Sequence, residues 1–315
     1  MSQCAKCEVA SGQQLFPGNR FLPLEPGSWP LLDRFLRARP HALSGYTLSS
    51  LVAWDHVFHY QWAFPEPETL LITCRIAPDC EPHLLQPVGA FSPALQEALL
   101  RRASGLAYPL RMIGAGRAFA ETYPGFVSHF SVKVDRDNHN YIYLAADLAG
   151  LAGRRYSKKR NLIAQARHAY EWTVEPLTPA NADACLEVLR ETGREQAAEH
   201  GKGLERDDQA IENCVRFFSD LSLEGVLVRV QGRPSAFSIL EQQTQDTVVI
   251  HFERALRSCK GLHQVTNQVT AQAVFERGFK YINREEDLGD PGLRQSKESY
   301  YPAFLAEALL LTFNK

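Results

Sequence analysis

The densest group of chemically capable side chains lies near the C-terminus, in the run Asn283-Arg284-Glu285-Glu286-Asp287-Leu288-Gly289-Asp290-Pro291-Gly292-Leu293-Arg294-Gln295-Ser296-Lys297-Glu298-Ser299-Tyr300-Tyr301. Four acids and two glycines fall within 285–292, just after the short buried-looking strand 279–282. Functional groups concentrate on loops where a strand ends, because the scaffold fixes the loop's base and leaves its tip free. Carboxylates packed this closely resist ionising together, which raises the affinity of one of them for a proton or a cation. The plainer alternative is a solvated loop running into a helix that starts at Pro291. Composition by itself favours that alternative.

Two other places could bind anions. Residues 148–170 hold no acid and six basic side chains, Arg154, Arg155, Lys158, Lys159, Arg160 and Arg167. Such a stretch suits phosphates, from the acceptor end of a tRNA, a lipid head group or coenzyme A. Its other reading is a solvated helix start between domains. The turn Arg257-Ser258-Cys259-Lys260-Gly261-Leu262-His263 precedes a helix, so Lys260 sits beside free helix N–H groups that favour an anion. A simple strand-to-helix turn would look the same.

Other chemistries leave no trace. Ten histidines are scattered, with no His-Glu-x-x-His, and no metal site is expected. There is no Gly-x-Ser-x-Gly elbow, P-loop or dinucleotide fingerprint. Seven cysteines at irregular spacing speak against a disulfide framework and for a reducing, cytoplasmic setting. Cys4 and Cys7 form an isolated CxxC, read as incidental for want of further ligands. A net charge of −2 argues against a duplex-DNA reader, and no sequence-specific DNA partner is expected. No apolar run reaches membrane-spanning length.

The elements that must hold these groups follow from periodicity. The 315 residues, 45% hydrophobic and 22% charged, suffice for two cores. In the first half, Ser28 is read as the N-cap of a helix to about Ala38, and residues 47–58 as a second helix. Residues 60–64 and 70–74 form a hairpin, with a further strand near 84–88. Ser92-Pro93 opens a helix to Ala103. Short strands follow at 110–113, 130–134 and 141–144. In the second half come a strand at 171–177, helices at 181–199 and 207–221, and a three-strand meander at 225–230, 235–241 and 247–253. A helix at 262–277 has Leu262, Val265, Val269 and Ala273 on one face. It leads to a strand at 279–282 and a last strand at 303–313.

This order resembles the acyltransferase fold of the GCN5-related N-acetyltransferases, and the first half shows a looser version of it. The expected fold class is therefore α/β (α+β): a tandem pair of such folds, with mixed central sheets flanked by helices. The expected boundaries are a frayed N-terminus at 1–20, one domain at 21–153 and another at 154–315. In that superfamily the turn before the long helix reads Arg/Gln-x-x-Gly-x-Gly/Ala. Here Ser258 and His263 depart from it, which weakens an acyl-CoA reading.

A narrower resemblance joins the landmarks. The segment Tyr156-Ser157-Lys158-Lys159-Arg160-Asn161, Glu253, Lys260-Gly261, and the run from Asn283 through Arg294 and Lys297 to Tyr300 are together similar to the family of the phosphatidylglycerol lysyltransferase C-terminal domain. That resemblance implies transfer of an aminoacyl group from aminoacyl-tRNA to a hydroxyl or amine acceptor such as a lipid head group. It implies no tightly bound cofactor, and a location at most peripheral to the inner membrane. The implied catalytic positions are Glu253, Glu285, Glu286, Asp287 and Arg294. Glu285, Glu286 or Asp287 would hold the substrate ammonium, Glu253 would act as base or second ammonium ligand, and Arg294 or Lys297 would offset negative charge. Lys158, Arg160, Lys260, Asn283, Lys297 and Tyr300 are the implied substrate-binding set. The family's multi-pass membrane domain has no counterpart here, which leaves the acceptor open. An acyl-CoA-dependent N-acyltransferase and a non-enzymatic binding module for a small molecule or lipid are the alternatives. Alanine at Asp287 or Arg294 is expected to abolish activity and to leave the melting temperature nearly unchanged.

Overall fold

The structure, a computed structural model, describes residues 21–75, 81–200 and 205–315. Cys4, Cys7 and the expected frayed segment 1–20 lie outside the described residues. Two compact units are present, and neither is a continuous half. Among the described residues, the first contains the chain from 21 to Arg39, Trp54–Arg136 and Glu307–Lys315; the second contains Pro40–Ala53 and Asp137–Ala306. The expected cut between 153 and 154 falls inside the second unit.

In the first unit a mixed sheet runs in the order Leu22–Pro23, Gln61–Glu66, Thr69–Arg75, Pro82–Leu85, Arg111–Gly116, Ala308–Phe313, Phe130–Val134. Thr69–Arg75 is buried along almost its whole length, with Leu70, Leu71, Ile72 and Cys74 giving it the apolar character of an interior strand. Ser92 caps the helix Pro93–Ser104 through its hydroxyl, as expected. Ser28 does not cap in this way: its hydroxyl donates to the Glu25 carbonyl instead.

The second unit carries the acidic loop. Its elements are β1 (Asn140–Leu144), α1 (Ala145–Gly150), α2 (Ser157–Ala169), β2 (Trp172–Leu177), α3 (Ala184–His200), α4 (Glu205–Arg216), β3 (Glu224–Val230), β4 (Arg233–Gln242), β5 (Thr247–Ala255), α5 (Leu262–Glu276), β6 (Tyr281–Asn283), α6 (Pro291–Glu298) and β7 (Phe304–Ala306). The sheet order is β7-β1-β6-β5-β4-β3-β2. The meander and the following helix are as the alternation foretold. Alternate β3 residues Val226, Val228 and Val230 pack with Leu262, Val265, Ala271 and Val274 of α5 in one core. Two expected features differ. The strands at 130–134 and 140–144 are neighbours in sequence but join different sheets. The expected last strand is two: β7 ends at Ala306 in the second sheet, and Ala308–Phe313 completes the first.

Each unit contains one parallel strand pair joined by a helix. In the first, Pro82–Leu85 pairs with Arg111–Gly116 across the helix Pro93–Ser104. In the second, β5 pairs with β6 across α5. This repeated crossover is the structural content of the tandem fold expected from the sequence.

The second crossover positions the candidate site. β5 and β6 pair only at Thr247↔Tyr281, Val248↔Ile282 and Val249↔Asn283 and then part. On its other side β5 bulges: Ile250 faces Leu240 and Phe252 faces Ile239, so His251 is the extra residue. A bulge re-aims the side chain it carries. The entry to α5 depends on Gly261, at φ 85°. A Cβ there would lie 2.3 Å from the Leu162 carbonyl oxygen of α2. Gly261→Ala is therefore expected to destabilise the protein by more than about 1 kcal/mol, since strain and a backbone clash act together. Urea unfolding of the two forms measures the difference.

Candidate functional site

Beyond Asn283 the backbone of β6 continues along β1 irregularly. Arg284 N–H donates to the Tyr141 carbonyl, and Tyr141 N–H donates to the Glu285 carbonyl. Glu285 is held at φ 57°, a conformation that costs a non-glycine residue energy. The Asn283 side chain stabilises it by accepting from Glu285 N–H at 2.8 Å. Asn283 is fully buried, and its amide donates to Asn140 Oδ1 and Gln243 Oε1, both at 2.9 Å. Gln243 in turn donates to the carbonyls of His41 and Ala42. Asn283 is thus spent on bracing the loop, with all its polar capacity inside the protein.

Asp287 is the second brace. It is fully buried and accepts from Tyr141 Oη at 2.6 Å, from Arg294 Nε and Nη2 at 2.8 Å each, and from Gly289 N–H at 2.9 Å. Burial would raise its carboxyl, but these donors outweigh burial and hold it well below the usual carboxylate range. Arg294 also donates to Asp137 at 2.7 Å. Asp290 caps α6 through Leu293 N–H, with Pro291 in the first turn, so the predicted helix start is real. Lys297 Nζ reaches back to the carbonyls of Arg284, at 2.5 Å, and Glu286. Burial lowers the Lys297 ammonium to about 8. Asp287, Arg294 and Lys297 therefore shape the loop rather than offering charge outward.

Where β5 and β6 part, side chains bridge the gap. On the α5 side, Glu253 Oε1 lies 3.1 Å from Arg284 Nη2 and 3.0 Å from His263 Nδ1. The Asn267 amide oxygen, turned toward Arg284, leaves its NH2 group to Glu253. Burial would raise the Glu253 carboxyl, but Arg284 and His263 lower it. This geometry is that of a locked ion pair and a poor base. Tyr300 is buried below it, with the Arg284 guanidinium 5.4 Å and the Lys159 ammonium 4.0 Å from its ring centroid. Its hydroxyl makes no hydrogen bond among the described residues.

The second bridge escaped the sequence reading. His251 Nδ1 lies 2.8 Å from Glu285 Oε1, and His251 Nε2 lies 2.8 Å from Glu241 Oε1. The histidine and Glu241 side chains are each 3% exposed and Glu285 is 17% exposed. Burial would drive the proton off the imidazole, but the two carboxylates win and raise it to about 10. Polar residues interrupting otherwise apolar strands, Glu241 in β4 and His251 in β5, were the available signal.

Two acids of the run remain available. Glu285 uses Oε1 on His251, and Oε2 has no partner among the described residues. Glu286 accepts from Asn140 Nδ2 through Oε2 at 3.1 Å, leaving Oε1. Burial, reinforced by the neighbouring Glu285 and opposed by Lys297, pushes the Glu286 carboxyl up to about 7. Among the described residues no cluster of three or more His, Cys, Asp or Glu is arranged to hold a metal ion.

The two anion-binding candidates look different in three dimensions. Lys158 is exposed on α2. Arg160 donates to the carbonyls of Leu151 and Gly153, closing the end of α1. Arg155 pairs with Asp147, and Lys159 turns onto Tyr300. At the turn before α5, Lys260 is exposed, but five of its backbone donors are taken. Arg257 and Ser258 N–H groups donate to the Glu195 carboxylate, Lys260 N–H to Tyr170 Oη, and Cys259 and Leu262 N–H groups to nearby carbonyls. A carboxylate and a phenol thus occupy donors that a pyrophosphate would need.

Residues 37–309 match the family described as phosphatidylglycerol lysyltransferase, C-terminal, and the chain belongs to that family. A conserved protein of unknown function from Bacteroides thetaiotaomicron has a TM-score of 0.84 at 25% identity, covering 94% of this chain and 100% of that one. L-PGS from Bacillus licheniformis has a TM-score of 0.63 at 16% identity, covering 93% of each chain. FemX has a TM-score of 0.57 at 10% identity over 91% of this chain and 96% of its own. The last two likenesses show the fold. No curated protein matches. Among the described residues no helix is long and apolar enough to cross a membrane.

The bracing role of Asp287 revises what its removal should do. Asp287→Ala is expected to lower the melting temperature by about 5 °C or more, because it leaves a buried donor set unpaired. The native carboxyl is depressed, so its contribution is full above about pH 4, the ordinary aspartate value, and is lost as the pH falls toward the native value. The stability gap between the wild type and Asp287→Asn should therefore be constant around neutrality and close in acid, as thermal melts across pH will show.

Proposed function

We propose that this chain transfers an aminoacyl group, from an aminoacyl-tRNA, to a hydroxyl or amine acceptor such as a lipid head group. The observation that carries the reading is the pair of partly accessible carboxylates, Glu285 and Glu286, each with one oxygen unengaged, at the parting of β5 and β6. Membership of the phosphatidylglycerol lysyltransferase C-terminal family supports it.

An aminoacyl ester carries an α-ammonium and an already activated carbonyl. The enzyme must hold the first and deprotonate the nucleophile that attacks the second. Two adjacent acids in unlike environments divide those tasks. Glu285, fixed to His251, presents Oε2 to the ammonium. Glu286, raised to about 7, takes the proton of the incoming hydroxyl or amine and returns it to the tRNA ribose oxygen as the ester C–O bond breaks. Glu253, Asp287 and Arg294 keep the loop in shape and touch neither group. The acyl-CoA alternative has less support, because three of the donors before α5, on Arg257, Ser258 and Lys260, are already occupied by Glu195 and Tyr170. Exposed Lys158 and Lys260 are left as contacts for the polyanionic donor.

The test uses purified protein, labelled aminoacyl-tRNAs, and lipid and protein acceptors, with labelled acetyl-CoA in parallel. Label should move from tRNA alone. The rate should rise as the pH passes through about 7 and then level, because a base acts only when deprotonated. Glu286→Gln should lower the rate by about a hundredfold or more and remove that rise. Label moving from acetyl-CoA alone would contradict the reading.

A further inference from the structure

We propose that His251 is the positioning residue of this site: from its bulge on β5 it holds Glu285 against Glu241, and so fixes which carboxylate oxygen meets the aminoacyl ammonium. The inference rests on the ammonium reading given above.

The bulge is the first support. Regular pairing would continue the alternation of β5, but the extra residue sits where Ile250 and Phe252 face consecutive residues of β4. The irregularity places His251 between a carboxylate on β4 and one on the loop after β6, on the far side of the gap from the Glu253–Arg284 bridge. Hydrogen-bond capacity is the second. A neutral imidazole donates through one nitrogen only, so one of two carboxylates at 2.8 Å would face a lone pair. With both acids ionised, the two bonds are satisfied together only by the doubly protonated ring. Charge is the third. Glu241, Glu285 and one imidazolium leave a single negative charge in a mostly buried site, which one ammonium neutralises.

The groups facing the ring are few. Glu241 comes from β4 and Glu285 from the loop after β6. On α4, the buried Cys214 thiol is raised by burial and by both carboxylates. Glu286 stands beside Glu285, and Lys297 behind Glu286. Without the imidazolium, the Glu285 carboxylate next to Glu286 has no counter-charge of its own, and the proximity of Glu285 already favours the protonated form of Glu286. His251 does not touch the substrate, so its effect is on the pH dependence of binding.

Calorimetry with alaninamide as the probe, between about pH 5.5 and 7.5 where its amine stays largely charged, tests this. His251→Gln should weaken binding about tenfold at pH 6 and by less than about threefold at pH 7.5, a shift of about one unit in the profile. The exposed His168→Gln should leave the profile unchanged. Glu241→Gln, which keeps one hydrogen bond to the ring, should shift it in the same direction by less, and serves if His251→Gln does not fold. Identical profiles for wild type and His251→Gln would overturn the proposal. The 15N shifts of the ring, read without ligand, separate this from failure of the ammonium reading. A doubly protonated ring at about pH 8 in a protein that binds no amide supports the clamp and sinks the ammonium reading; a ring titrating near its ordinary value of about 6.5 overturns the clamp whatever binds.

Discussion

Two parallel strands that pair for three residues and then part set the terms for everything around them. Parting opens a gap in the middle of a sheet, where backbone groups and the side chains aimed across it lose their neighbours. A gap lined by apolar residues would collapse. Here it is propped by charge, with Glu253 and Arg284 bridging on the α5 side and His251 and Glu285 on the other. Consecutive residues just past the end of β6, Arg284 and Glu285, thereby tie to residues of β5. Paired charges of this kind contribute little net stability over an apolar filling, but removing one partner is costly, so the pattern specifies a shape more than it stabilises a fold.

The acidic run is consequently two kinds of acid. Asp287 and Asp290 spend their oxygens on backbone N–H groups and on Arg294. They hold a loop that contains left-handed residues at Glu285 and Leu288 in a fixed course. Glu285 and Glu286 are held by that loop and keep an oxygen each. Rigid support under two accessible carboxylates is what a positioned ammonium and a nearby base require.

Much of the fold was legible because period and capping are local. The meander of β3 to β5, the helix α5 and the cap at Ser92 follow from alternation, spacing and a Ser-Pro start. Partner choice was less so. Residues 130–134 and 140–144 alternate alike, and nothing local says that they belong to different sheets. The break at Glu307, which sends the last strand to the first sheet, is the single charged residue in a mostly apolar run. At the candidate site, the run 283–301 was legible as a cluster of acids, but which of them brace the loop and which keep an oxygen depends on Tyr141, Asn140 and Arg294, which meet only in three dimensions. His251 looked like one of ten scattered histidines, because a bulge shifts the alternation that would have assigned its direction.

The most direct measurement of the central claim is a crystal structure with a stable aminoacyl-amide analogue of a tRNA 3′ end. The account predicts the α-ammonium within hydrogen-bonding reach of Glu285 Oε2, with Glu286 beside the carbonyl carbon and the Asp287–Arg294 pair undisturbed. An ammonium bound to Asp287, or an analogue seated away from the parting of β5 and β6, would contradict it.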